Sequence, residues 1–224
     1  MTSAARALLA AGLAVMSANG AAQDPVPIEQ EPRHRLAFEN TRIRFFDVQL
    51  PPGYRSMVHI HHHDGVFVNI SPAETEAEDW GKPPVRRAPR TPGESYFIGY
   101  AKTPKAHRVS NVGSTEYRVT DTEILQGCGE RAPDDTARSG PVLVDNKRVR
   151  VTRIELAPGA STPLHGPCGM LVLVTSGTAR FDGPGGVETV AFAPAGFKWR
   201  DGTLPVAMKN VGNEPLHAVD ILVK

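Results

Sequence analysis

The 224-residue chain lacks the features that announce several common functions. Cysteine is nearly absent: there are two, Cys128 and Cys168, with no CxxC pair and no repeated Cys/His spacing, which speaks against a thiolate metal site. Aromatic residues make up only 6% of the chain. Neither charge dominates, with 25 Lys+Arg against 24 Asp+Glu and no basic cluster; the electrostatic footprint of a nucleic-acid binder is missing. Beyond the N-terminus no run of about 18 apolar residues could span a bilayer. GxSxG, a glycine-rich phosphate loop and a dinucleotide fingerprint are all absent, which argues against familiar hydrolase, nucleotide and NAD chemistry. No stretch longer than about two turns carries a helical stripe. What is present instead is turn chemistry: 21 Gly and 20 Pro, spread along the chain, point to many short strands. A small molecule is the expected partner.

Residues 1–22 have one early cation, Arg6, then an Ala/Leu-rich run from Ala7 to Met16, then small residues around Ser17, Ala18, Gly20, Ala21 and Ala22. This three-part pattern reads as a secretory signal peptide, with cleavage near Gly20 or Ala22. The expected product is periplasmic or secreted, with no membrane attachment after cleavage. An oxidising compartment permits Cys128 and Cys168 to pair; the sequence leaves open whether they do or remain separate thiols.

The chain contains itself twice. Glu39 to Gly53 lines up with Asp145 to Gly159, and five residues after each Gly stands a His, His59 and His165. Asn111 to Asp121 lines up with Asn210 to Asp220. Two homologous units, 36–126 and 142–224, are thus joined by a Gly/Pro/Asp-rich linker, 127–141. Within each unit, short runs such as Arg42 to Leu50, Val66 to Ile70, Met170 to Val174 and Ala218 to Val223 alternate apolar and polar or are bounded by Gly, Pro, Asn or Asp. That is strand punctuation, so each unit is expected to be a small antiparallel sandwich or barrel. The stretch from Pro72 to Pro92, Pro-rich and charged, reads as a long inserted loop. Sheet edges that must be covered make a homodimer an open expectation.

The chemistry concentrates in the first unit. His59 and His61, at i and i+2, project from one face of a strand, which is chelate spacing. His107 follows at the start of another strand-like run. Three converging imidazoles suit Fe, Mn, Zn, Ni or Cu, with remaining positions open to water or substrate. His62 and His63 read as surface residues at a strand end.

These residues resemble the cupin superfamily. Its first motif is Gly, five residues, His-x-His, three or four residues, Glu; its second includes Pro, a short gap, His, three residues, Asn. Gly53, His59 and His61 match the first, and Pro104, His107 and Asn111 match part of the second. With the duplication covering nearly the whole mature chain, the resemblance is to a bicupin. It implies an all-β fold of two tandem cupin-type β-barrels (double-stranded β-helix, or jelly-roll sandwiches) and one divalent transition metal on His59, His61 and His107, with Asn111 as a candidate neighbour of the site. The family's Glu would fall at Gly65 or Val66, neither of which can ligate. Asp64 is the nearest carboxylate, with three readings open: ligand, orienting partner of an imidazole, or turn residue beside Gly65. A three-His site without the carboxylate resembles that of cupin thiol dioxygenases.

The second unit has lost the constellation. Pro167 stands two residues after His165, and the second-motif His is matched by Trp199. His165 and His217 read as hydrogen-bonded core or cavity residues, and Trp199, with Phe197 and Phe192 nearby, as barrel filling. Two classes of function remain: a metal-dependent enzyme of dioxygenase- or isomerase-like chemistry on a small molecule, or a non-catalytic metal- or ligand-binding or structural cupin. Fold alone does not choose between them.

Overall fold

The computed structural model describes residues 24–129, 140–164, 166–202 and 206–224. The signal-peptide segment, most of the linker and His165 lie outside the described residues. The first barrel comprises β1 (Val26–Pro27), a 3-10 turn (Ile28–Gln30), β2 (His34–Glu39), β3 (Ile43–Leu50), β4 (His59–His61), β5 (Asp64–Ser71), β6 (Thr75–Asp79), β7 (Val85–Arg87), β8 (Ser95–Ile98), β9 (Lys105–Asn111) and β10 (Tyr117–Ile124). The second comprises β11 (Val142–Asp145), β12 (Val149–Leu156), β13 (Ser161–Leu164), β14 (Cys168–Leu173), β15 (Gly177–Gly183), β16 (Gly186–Phe192), β17 (Phe197–Asp201), β18 (Val206–Asn210) and β19 (Leu216–Val223).

Each barrel is two facing sheets. In the first their orders are β1-β4-β9-β6-β7 and β2-β3-β10-β5-β8; in the second, β13-β18-β15-β16 and β11-β12-β19-β14-β17. The repeat seen in the sequence is a repeat of turn chemistry. Asn40 Oδ1 accepts from the amides of Arg42 and Ile43, and Asn146 Oδ1 accepts from those of Arg148 and Val149. At the far end of the same strands Gly53 and Gly159 adopt φ of 77° and 80°, a region that costs glycine little.

The two barrels share a core. Ile43, Phe45, Val66 and Val68 of the first pack against Val149, Met170, Val172 and Val219 of the second, so β3, β5 and β10 are buried on both faces. Their other face, with Phe46, Val48, Leu50, Phe67 and Val119, fills the interior of the first barrel. Trp199 joins the layer between the barrels, stacked on Phe38 with centroids 6.1 Å apart. A disulfide joins Cys128 to Cys168, Cα atoms 6.1 Å apart, tying the exit of the first barrel to β14.

Three sequence expectations change. The stretch from Pro72 to Pro92 is not a plain loop: it holds the hairpin β6–β7, which extends the sheet through β9. Thr75-Glu-Ala-Glu-Asp79 alternates with period 2, but with small and acidic residues, so it carries little apolar signal. The first barrel also begins before residue 36, since β1 pairs in parallel with β4 and Ile28 is in the core. Trp199, lastly, is not the counterpart of His107. It pairs with Met170 as Phe97 pairs with Val66, which makes β17 the equivalent of β8; the equivalent of β9 is β18, ending at Asn210. The mismatch arose because Pro194-Ala-Gly196 matches the turn before β8 rather than the residues around Pro104.

Candidate metal centre

Strands β4 and β9 run antiparallel, with His59 directly opposite His107 and His61 opposite Lys105. Directly opposed side chains on one face lie closest of all cross-strand pairs, and His61, two residues on, shares that face. His59 and His61 are buried inside the barrel and His107 is partly buried, and one nitrogen from each lies within 4.8 Å of the others. His59 Nε2 and His107 Nε2 are 3.1 Å apart.

The local bonds determine what these nitrogens can do. His59 Nδ1 lies 3.0 Å from the carbonyl of Met57; a carbonyl only accepts, so Nδ1 carries the proton and Nε2 presents a lone pair. Among the described residues neither ring nitrogen of His61 has a hydrogen-bond partner. Burial, followed by the neighbouring imidazoles, pushes the pKa values of His59 and His61 well below the usual histidine range. Burial likewise pushes that of His107 down to about 3. Three neutral imidazoles with converging lone pairs are the ligating form, free of proton competition at neutral pH. Two nitrogens each about 2.0–2.1 Å from one ion would stand roughly 3 Å apart, so the donor set fits a divalent transition ion.

Around the cluster lie groups that motif reading missed. His34, from β2, packs on His59 with ring centroids 4.3 Å apart, and its Nδ1 is 2.6 Å from Glu31 Oε2. Glu31 also accepts from the amide of Arg33 and the hydroxyl of Tyr54. Burial opposes ionisation of Glu31, but those bonds outweigh it and lower its pKa. Tyr100 stacks on His61 at 4.7 Å. On β10, Asp121 and Glu123 are fully buried and reach His61 Nδ1 at 3.5 and 3.9 Å. Glu123 is ion-paired with Arg44 at 2.5 Å, whereas both oxygens of Asp121 lack a hydrogen-bond partner among the described residues. Burial, then the charge of Glu123, raises the pKa of Asp121 well above the carboxylate range.

No protein-family model matches the chain, and no curated protein matches it. Solved structures share its fold. AerE from Microcystis aeruginosa is similar at a TM-score of 0.59 and 13% identity, over 89% of this chain and 98% of that one. A variant of Bacillus subtilis oxalate decarboxylase is similar at 0.58 and 12%, over 82% and 69%. YhaK from Escherichia coli is similar at 0.56 and 15%, over 91% and 99%. Those likenesses, with the His-x-His strand set inside a duplicated two-sheet barrel, decide the fold. The chain has a tandem cupin fold.

Against the cupin motifs, two candidate residues are engaged elsewhere. Asp64 is not beside the imidazoles as a ligand: Oδ1 accepts from the amide of Ala101 and Oδ2 from Arg148 Nε of the second barrel, so it clamps the barrels together. Asn111 donates to the carbonyls of Leu50 and Thr115 and accepts from the amide of Gly113. Asn210 makes the same three bonds to Leu156, Glu214 and Gly212 in the barrel without the site. The motif asparagine is therefore a turn lock common to both cupin units. His62 is exposed and His63 partly so, outside the cluster. His217 is half-buried, its Nε2 3.9 Å from Glu155.

The cavity of the first cupin barrel measures about 80 Å³ and is lined by His34, His61 and His107, by Phe67, Tyr96 and Tyr100, and at its rim by Arg87, Arg90 and Lys105. Lys105 is paired with Asp79 and Arg90 with Glu94.

Proposed function

We propose that this is an exported tandem cupin whose first barrel holds one divalent transition metal on His59, His61 and His107 and acts on a small molecule. The observation that carries the reading is the 3.1 Å approach of two imidazole Nε2 atoms, one of them held as a lone-pair donor by Met57, beside a third imidazole with no hydrogen-bond partner. Buried polar atoms left bare are costly in a protein without a ligand for them.

A bound divalent ion supplies Lewis acidity or oxygen activation. The chain's own residues do the rest. Neutral imidazoles would hold the ion without adding charge, Phe67 and Tyr100 keep water from that side, and the guanidinium of Arg87 favours a small, oxygen-rich anion. A cavity of about 80 Å³ admits only a few non-hydrogen atoms. The Cys128–Cys168 disulfide supports export, since such bonds persist in oxidising compartments.

The test is metal content by elemental mass spectrometry of the untagged exported protein beside the His59→Ala/His61→Ala variant. Near one equivalent of a single metal in the wild type and little in the variant is expected, followed by turnover screens under oxygen. Absence of metal, with none taken up from Fe, Mn, Zn, Ni or Cu, overturns the reading and leaves a non-catalytic cupin.

A further inference from the structure

Asp121 and Asp220 occupy one and the same place in the two barrels. Asp121 pairs with Phe46 and Phe67 across β3 and β5, and Asp220 with Thr152 and Leu171 across β12 and β14. In the second barrel the carboxylate is neutralised by the buried Arg200. Arg200 lies opposite Gly169, and in the first barrel the residue opposite the equivalent Gly65 is Ile98. The first barrel has thus kept the carboxylate and has no arginine there. What Asp121 faces instead is His61.

Gly65 explains where the missing motif carboxylate went. A Cβ built on Gly65 would lie 2.9 Å from Asp121 Oδ1 and 3.1 Å from the Phe67 ring. Side chains of two strands compete for that space, and Asp121 of β10 has it.

We propose that Asp121 is the carboxylate of this metal centre, acting behind the ligand rather than on the ion: it accepts the Nδ1–H of His61 and holds the ring with Nε2 turned to the metal. The inference rests on the three-imidazole reading above. A neutral His61 that ligates through Nε2 must carry its proton on Nδ1, and in the barrel interior the carboxylates within 4 Å of Nδ1 are Asp121 at 3.5 Å and Glu123 at 3.9 Å. Glu123 is already engaged by Arg44. Closing Asp121 by about half an ångström reaches hydrogen-bond distance. His61 is the residue common to both clusters of potential ligands, His59–His61–His107 and His61–Asp121–Glu123, so the ring stands between ion and carboxylate. Metal-bound histidines commonly pass their second N–H to a carboxylate, which fixes the tautomer and raises ligand basicity.

The experiment loads wild type and Asp121→Asn with Cu²⁺ and reads two quantities: affinity by chelator competition, and the coupling of the remote imidazole nitrogens by pulsed EPR. Asp121→Asn is expected to bind copper ~10–100-fold more weakly and to alter one of three remote-nitrogen signatures, while the metal-free protein melts no lower than wild type, because among the described residues Asp121 makes no hydrogen bond that the amide would lose. A purely structural role would lower the melting temperature and leave the nitrogen signature intact. A second variant, Ile98→Arg, copies the arrangement around Asp220 and should weaken copper binding by at least tenfold, with Ile98→Met as the control for bulk. Unchanged affinity and unchanged nitrogen couplings in both variants, or direct oxygen coordination by Asp121, overturns the proposal. A wild type that binds no copper, or binds it with fewer than three imidazoles, instead overturns the three-His reading itself and this inference with it.

Discussion

His59 and His107 face each other across the β4–β9 ladder with their Nε2 atoms 3.1 Å apart. The pair is brought together by strand register alone, from positions 48 residues apart in the chain.

That register makes His107 as necessary as either member of the His-x-His strand. His107→Gln should keep the fold and lower Zn²⁺ affinity by at least the ~10–100-fold that follows loss of a supporting partner. Thermal melts with excess Zn²⁺ check this. Ligand at a hundred times its Kd stabilises the wild type by about 2.7 kcal/mol, and the variant should show little shift at the same concentration. An equal shift in both proteins would remove His107 from the ligand set.

Asp47 should govern part of the acid stability. It is buried, which opposes ionisation, but hydrogen bonds from Arg118, Arg35 and Gln49 outweigh burial and lower its pKa. A depressed carboxylate pKa contributes stability that is present above the unfolded value, about 3.9, and is lost as pH falls through the folded value. Asp47→Asn should therefore cost about 1–3 kcal/mol near pH 7, and its difference from wild type should shrink below about pH 4. Urea titrations between pH 2.5 and 7 measure the gap; a difference that stays constant with pH would contradict the assignment.

The disulfide closes a loop with a sequence separation of 40. The chain-entropy relation gives about 4 kcal/mol for a loop of that length. Cys128→Ser/Cys168→Ser should lose most of that in urea unfolding, and reductant should reproduce the loss in wild type while leaving the variant unaffected.

Phe45 belongs to the layer shared by both barrels, its ring 4.7 Å from that of Phe197. Phe45→Ala should cost about 3–5 kcal/mol, and the loss should be felt by both barrels at once. In a Trp80→Phe background, fluorescence from Trp199 in the second barrel should follow the same unfolding curve as far-UV circular dichroism. Two separated transitions would show that the shared layer does not couple the barrels.

The repeat was legible because each unit's turn chemistry is local. The pairs Asn40 and Asn146, Gly53 and Gly159, and Asn111 and Asn210 are written directly in the chain, and a turn residue does its work within a few positions of itself. The same holds for His59 and His61, since period 2 puts them on one face wherever the strand lies. Burial hid the rest. Asp121 and Glu123 alternate with Thr120 and Thr122, a pattern that reads as a polar strand until β3 and β5 close over it on both sides. Hairpin β6–β7 was missed for the converse reason, its inward positions being Thr75 and Ala77 rather than large apolar residues.

By itself, then, the sequence determined a duplicated all-β chain and the strand that presents two imidazoles, because strand alternation and turn formation are short-range. The tertiary structure decided which distant residues meet that strand: His107 by register, His34 and Glu31 from the start of the barrel, and Asp121 from the opposite sheet. It also decided that Asp64 and Asn111 serve the frame. Those outcomes depend on which sheet packs on which, and packing is a property of the closed barrel that no local stretch of chain contains.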